Sequence, residues 1–122
     1  MSYASVVVLQ PDARMSQLLT SALRPHFDSV FVASSLSEFR DTLSSRRPKV
    51  AVLELENSVF EDVRRLHREF PSLSIVCTHR LPDDEMWTRV LDAGATDVCP
   101  TYDPVAVARS VLRSAEDSSA AA

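Results

Sequence analysis

The sequence predicts one α/β domain in three layers, a doubly wound five-stranded parallel sheet with helices on both faces. Three observations carry this reading. Short apolar runs without alternation, "SVVVL" at residues 5–9 and "VAVL" at residues 50–53, mark strands covered on both sides. Between such runs lie segments with apolar residues at helical spacing. The two kinds of segment alternate five times, the order of βα units building a parallel sheet.

Taken in order, residues 5–9 form the first strand, and Asp12 stands where a helix N-cap belongs. Met15, Leu18, Leu19, Ala22 and Leu23 give the inner stripe of the first helix, and Pro25 ends it. "VFVA", residues 30–33, is the second strand. Ser35 and Glu38 form a capping box for a helix running to about Arg46, with Leu36, Phe39 and Leu43 inward. The third strand, behind Pro48, ends in Glu54. Ser58 and Glu61 suit a second capping box, and Val59, Val63, Leu66 and Phe70 a third helix closed by Pro71. "LSIVC", residues 73–77, is the fourth strand. Pro82 suits the first turn of the fourth helix, whose positive end faces Asp83, Asp84 and Glu85. Met86, Val90 and Ala93 line its inner side and Gly94 stops it. "DVC", residues 97–99, is the last strand. Asp103 and Pro104 open the final helix, with Val105, Ala108, Val111 and Leu112 inward. The expected domain spans residues 1–115, and residues 116–122 read as a disordered tail or the start of a linker.

Composition narrows function. The chain has 122 residues, 45% hydrophobic and 25% charged, enough for one ordinary core. A net charge of −4, with no basic run longer than two, argues against direct nucleic-acid binding. The single glycine excludes the glycine-rich phosphate loops. Cys77 and Cys99 lack the spacing of a disulfide framework or zinc site, which fits a reducing cytoplasm. No segment is long and apolar enough for a membrane span.

In open parallel sheets the working site lies at the carboxyl ends of the strands. Gln10 and Pro11 follow the first strand, Glu54 ends the third, Thr78 and His79 follow the fourth, and Thr101 follows the fifth. With "VVVLQPD", "VAVLEL", "IVCT" and "VLDAGATDV" around these positions, the chain resembles the receiver domain of two-component response regulators, the CheY-like family, over residues 5–115. The resemblance implies a flavodoxin-like strand order 2-1-3-4-5. It also implies a switch in which an aspartate ending the third strand accepts a phosphoryl group from a histidine kinase. Two acidic residues would hold Mg²⁺, a Thr or Ser would contact the phosphoryl group, and a Lys would pair with it.

Carried over residue by residue, the pattern mostly fails. The acidic pair falls on Gln10 and Pro11, the phosphoacceptor on Glu54, the lysine on Thr101, its following proline on Tyr102, and the aromatic switch residue on Val98; Thr78 alone matches. Nearby Asp12 is committed as a cap. Mg²⁺ wants hard oxygen ligands, so its binding is expected to be weak or absent, and no other cofactor is implied. The expectation is a degenerate receiver, a pseudo-receiver that is not an enzyme, with aspartyl phosphorylation lost or impaired. Glu54 stands at the mouth as a permanent charge, a phosphomimic or a rim carboxylate paired with a neighbour such as Arg80. Expected partners are proteins, such as a histidine kinase, an output domain or a second copy. The family's partner face would fall on Trp87, Arg89, Tyr102 and the Val107 side of the last helix.

Two other readings stay open: a working phospho-receiver with unusual site chemistry, and a flavodoxin-like domain binding a small ligand in the strand-end crevice. His67 and His26 read as surface residues. A metal or catalytic role for His79 with Glu54 and Asp12 is disfavoured, because two or three ligands on separate loops form a weak pattern. The two cysteines read as small buried hydrophobes rather than a redox pair.

Overall fold

In the computed structural model, residues 3–56 and 60–121 are described. Five strands, β1 (Tyr3–Leu9), β2 (Phe27–Ala33), β3 (Val50–Glu54), β4 (Ser74–His79) and β5 (Asp97–Pro100), pair in parallel in the order β2-β1-β3-β4-β5. Helices α1 (Ala13–Leu23), α2 (Leu36–Arg46), α3 (Phe60–Glu69), α4 (Asp84–Asp92) and α5 (Pro104–Ala121) connect and follow them. The expected fold class and strand order are therefore those of the chain.

Period-two alternation of side chains divides the core into two. Val6, Val8, Val50, Val52, Val76 and Cys99 face α1 and α5, meeting Leu19, Leu23, Val107 and Val111. Val7, Leu9, Ala51, Leu53, Ile75 and Cys77 face the other way, toward Phe39 and Leu43 of α2, Val63 and Leu66 of α3, and Val90 of α4. Every residue of β3 is buried, which is why its sequence shows no alternation.

Helix ends largely follow the expected caps. Asp12 Oδ1 accepts the N–H groups of Arg14 and Met15 at 2.9 and 3.1 Å. Ser35 Oγ accepts from Glu38 N–H at 3.2 Å, but the Glu38 carboxylate reaches Ser34 Oγ at 3.1 Å instead of closing the box on Ser35. The α4 cap is Asp83, whose Oδ1 accepts from Met86 N–H at 2.8 Å, so Pro82 lies outside the helix. Asp103 Oδ1 caps α5 through Ala106 N–H at 3.0 Å. The box expected at Ser58 and the inward Val59 fall outside the described residues.

Other differences concern phase and length. Leu18 is 46% exposed, because Met15, Leu19 and Leu23 suffice to fill the α1 side of the core. In α5 the buried stripe is Val107, Ala108, Val111 and Ala115, while Val105 is 64% exposed. Residues 116–121, expected as a tail, continue α5. The strands β2 and β4 are longer than expected, β4 reaching past Cys77 to Thr78 and His79.

Gly94 ends α4 with φ +114°, a backbone state that L side chains rarely adopt. No helix among the described residues is long and apolar enough to cross a membrane.

Candidate functional site at the strand ends

The sheet brings four polar side chains together by register. Glu54 pairs with Thr78 across β3 and β4. Gln10 follows Leu9, the register partner of Leu53, and so lies beside Glu54. Thr101 N–H donates to the His79 carbonyl at 2.9 Å, which holds Thr101 just past the end of β4. Alternation places Gln10, Glu54 and Thr78 on the α1 and α5 side of the sheet. All four are buried: Gln10 5% exposed, Glu54 2%, Thr78 0% and Thr101 4%.

A cleft of about 490 Å³ opens above them, with Pro11, Asp12, Glu56, Arg80 and Tyr102 among its lining residues. Its charged groups are already engaged. Glu54 Oε1 accepts the Glu56 N–H, which ties the carboxylate to the chain just past β3. Asp12 spends an oxygen on the α1 cap. Glu56 Oε1 accepts Arg80 N–H at 2.8 Å, lies 3.3 Å from Arg80 Nε, and is 3.7 Å from His79 Nε2. His79 Nδ1 accepts Leu81 N–H at 3.1 Å. The partner of Arg80 is thus Glu56, two residues beyond the carboxylate expected to take it. Glu56 escaped the sequence reading; the second acid of "ELE", just past the third strand, was its one signal.

The Arg80 N–H bond, assisted by the nearby His79 and Arg80 charges, holds the Glu56 carboxyl below the ordinary 4.5 against the opposing effect of partial burial. A depressed carboxyl pKa adds stability above the unfolded value, and that stability disappears as pH falls through the folded value. Urea titrations are therefore expected to show Glu56→Gln less stable than the parent near neutral pH, with the gap closing once pH drops below 4.5.

Three buried atoms in this region, Gln10 Nε2, Thr78 Oγ1 and Thr101 Oγ1, have no hydrogen-bond partner among the described residues. They supply neutral donors around the Glu54 position. No group of three or more His, Cys, Asp or Glu side chains converges as metal ligands would among the described residues.

The expected partner face is only partly assembled. Trp87 and Tyr102 are 48% and 62% exposed, but Val107 is fully buried on the sheet side of α5 and cannot contribute. Arg89 turns toward α3, its guanidinium carbon 4.3 Å from the centroid of the Phe60 ring. Sequence spacing could not reveal either fate, since both depend on which way a helix is rolled against its neighbours.

Cys77 and Cys99 sit on neighbouring strands but face opposite sides of the sheet, which rules out a bond between them. Burial above all pushes their thiols up, to about 12 and about 11. Both are expected to resist an aromatic disulfide reagent at pH 8 until denaturant is added, as a timed thiol titration will show.

No protein-family model and no curated protein matches the sequence. Solved structures do match by shape. A response regulator from Thermotoga maritima has TM-score 0.84 at 17% identity, covering 93% of this chain and 98% of its own. A CheY-like receiver domain protein from Methanospirillum hungatei has TM-score 0.86 at 13% identity, covering 99% of this chain and 100% of its own. An orphan response regulator of H. pylori has TM-score 0.79 at 18% identity, covering 90% and 95%. The class that the fold defines is thus the doubly wound α/β domain, with a cleft at the carboxyl ends of its strands. Within that class, the chain has the fold of response regulator receiver domains.

Proposed function

We propose that this chain is a receiver-like regulatory module that acts through protein contacts and does not switch by acyl phosphate. The observation that carries this reading is the state of Glu54. It is buried, with Oε1 engaged by the Glu56 N–H, in a cleft whose lining among the described residues contains no lysine and whose arginine is paired with Glu56. Phosphoryl transfer depends on positioning and on positive charge around the transferred oxygens. Here neutral donors stand where that charge would be needed.

Mg²⁺ fits these residues poorly. Pro11 offers no side-chain ligand, Gln10 Oε1 already accepts Asp12 N–H at 3.0 Å, and one oxygen each of Asp12 and Glu56 serves backbone N–H groups. Dehydrating Mg²⁺ for such a set returns little. Glu54 acts in this reading as an internal anchor for the chain leaving β3, not as an outward-facing phosphomimic. The module has no catalytic step of its own, and its partners are proteins such as a kinase, an output domain or a second copy.

The test is incubation with acetyl phosphate and Mg²⁺, followed by intact-mass spectrometry. No phosphoryl adduct is expected; an adduct on Glu54 or a neighbouring group would overturn the reading and favour a working phospho-receiver. The three unpartnered buried atoms favour a second reading, in which the cleft takes a small polar ligand. A thermal-shift screen with nucleotides and flavins tests it, since a ligand held in the cleft raises the melting temperature.

A further inference from the structure

We propose that the open edge of β2, with the groove between it and α1, docks an extended acidic peptide segment of a partner protein. β2 ends the sheet, so its outer edge has no strand neighbour among the described residues. Such an edge offers a ladder of backbone N–H and C=O groups, and most proteins blunt it with short length, proline or charge. The opposite edge strand, β5, obeys that rule: four residues, Asp97 at one end and Pro100 at the other. β2 does not. Its seven residues, FDSVFVA, contain no proline or lysine and end in a β-branched and aromatic run.

Beside this edge lies a groove of about 700 Å³, lined among others by Arg14, Gln17, Leu18, Ser21, Arg24 and Val32. Leu18 and Val32 expose 46% and 41% of their surfaces, apolar groups in a groove that two arginines also line. The chain carries 17 acidic residues and a net charge of −4, yet residues 13–27 contain Arg14, Arg24 and His26 and no acid. Among the described residues neither Arg14 nor Arg24 forms an ion pair. Across the strand Arg46 stacks over Phe31 with its guanidinium carbon 5.2 Å from the ring centroid. The only carboxylate on β2 is Asp28, near its start.

Backbone ladder, apolar groups and the cations of the groove together fit an added strand whose alternate residues are apolar and acidic. A second copy fits less well, since pairing β2 with β2 would bring two sets of arginines together. This surface names a partner chemistry for the contact-module reading above and rests on it only to that extent. Phosphoryl uptake at the strand-end cleft would sink that reading and leave this one standing.

The probe is a fluorescein-labelled peptide of alternating Val and Asp or Glu, matched in length to β2, with a Val and Asn or Gln counterpart. Anisotropy titrations are expected to show saturable binding of the acidic peptide and at least about tenfold weaker binding of the amide peptide. The Arg14→Glu/Arg24→Glu double variant is expected to lose about tenfold or more, and so is Val32→Lys, a gatekeeping charge on the edge. All three substituted positions are exposed, and circular dichroism verifies the fold of each variant. Hydrogen exchange is expected to slow at β2 amides when the peptide binds. Absence of saturable binding, indifference to the charge reversals, protection outside β2 and α1, or a dimer that excludes the peptide would each overturn the proposal.

Discussion

Glu54→Ala is expected to lower stability by about 3 kcal/mol, and Glu54→Gln by about 1 kcal/mol or less. Glu54 is among the largest fully buried side chains, 2% exposed, enclosed at the end of a strand with no exposed residue. Truncation to alanine leaves a cavity and removes the acceptor for Glu56 N–H, two costs that add. Glutamine keeps the shape and one acceptor oxygen, so the Glu56 N–H stays satisfied. Chemical denaturation at neutral pH measures both variants. Equal losses would show that the charge itself holds the site together and that Glu54 is more than an acceptor of fixed shape. Partner binding by Glu54→Gln, which retains the fold, then reports whether the negative charge is read from outside; unchanged affinity is expected.

A loss of similar size, about 3 kcal/mol, is expected for Gly94→Ala, or a fall in melting temperature of roughly 10 °C for a domain of this size. Two effects converge. The φ of +114° lies beyond the left-handed helical well that asparagine or aspartate tolerates, so any Cβ strains the backbone. That Cβ would also stand 2.4 Å from Cγ and 2.8 Å from Cβ of His67. His67 Cβ lies close to the α3 backbone, so rotating its ring away cannot relieve the overlap completely. The double variant His67→Ala/Gly94→Ala separates the causes. It is expected to recover only part of the loss, because the strained φ remains. Full recovery would assign the whole cost to the contact between α3 and the turn after α4.

His67 illustrates how far a one-dimensional pattern reaches. Its place outside the apolar stripe of α3 marked it as a surface residue, and it is exposed. What spacing could not show is that its side chain covers the one glycine of the chain, some distance away in sequence. The same division runs through the whole molecule. Unbroken apolar runs at Val6, Val7 and Val8 and at Val50, Ala51 and Val52 demanded burial on both faces, and alternation with amphipathic segments left little choice but a doubly wound parallel sheet. Caps at Asp12, Ser35 and Asp103 are contacts within a few residues, so local order alone was enough to find them.

Interactions between distant segments belong to the tertiary structure alone. Arg80 chose Glu56 over Glu54 because β3 and β4 lie side by side and the buried carboxylate turns back to its own chain. Val107 left the expected partner face because a small roll of α5 brought it inward beside Ala108 and put Val105 outside. Arg89 found a ring on α3, and Arg14 of α1 and Arg24 just beyond it came to border an open strand edge. Local order sets which residues need burial or a cap, since those needs arise within a turn or a strand. Which charge meets which, and which apolar side chain stays in water, is decided only when helices settle on the sheet, because those energies depend on distances that no spacing along the chain contains.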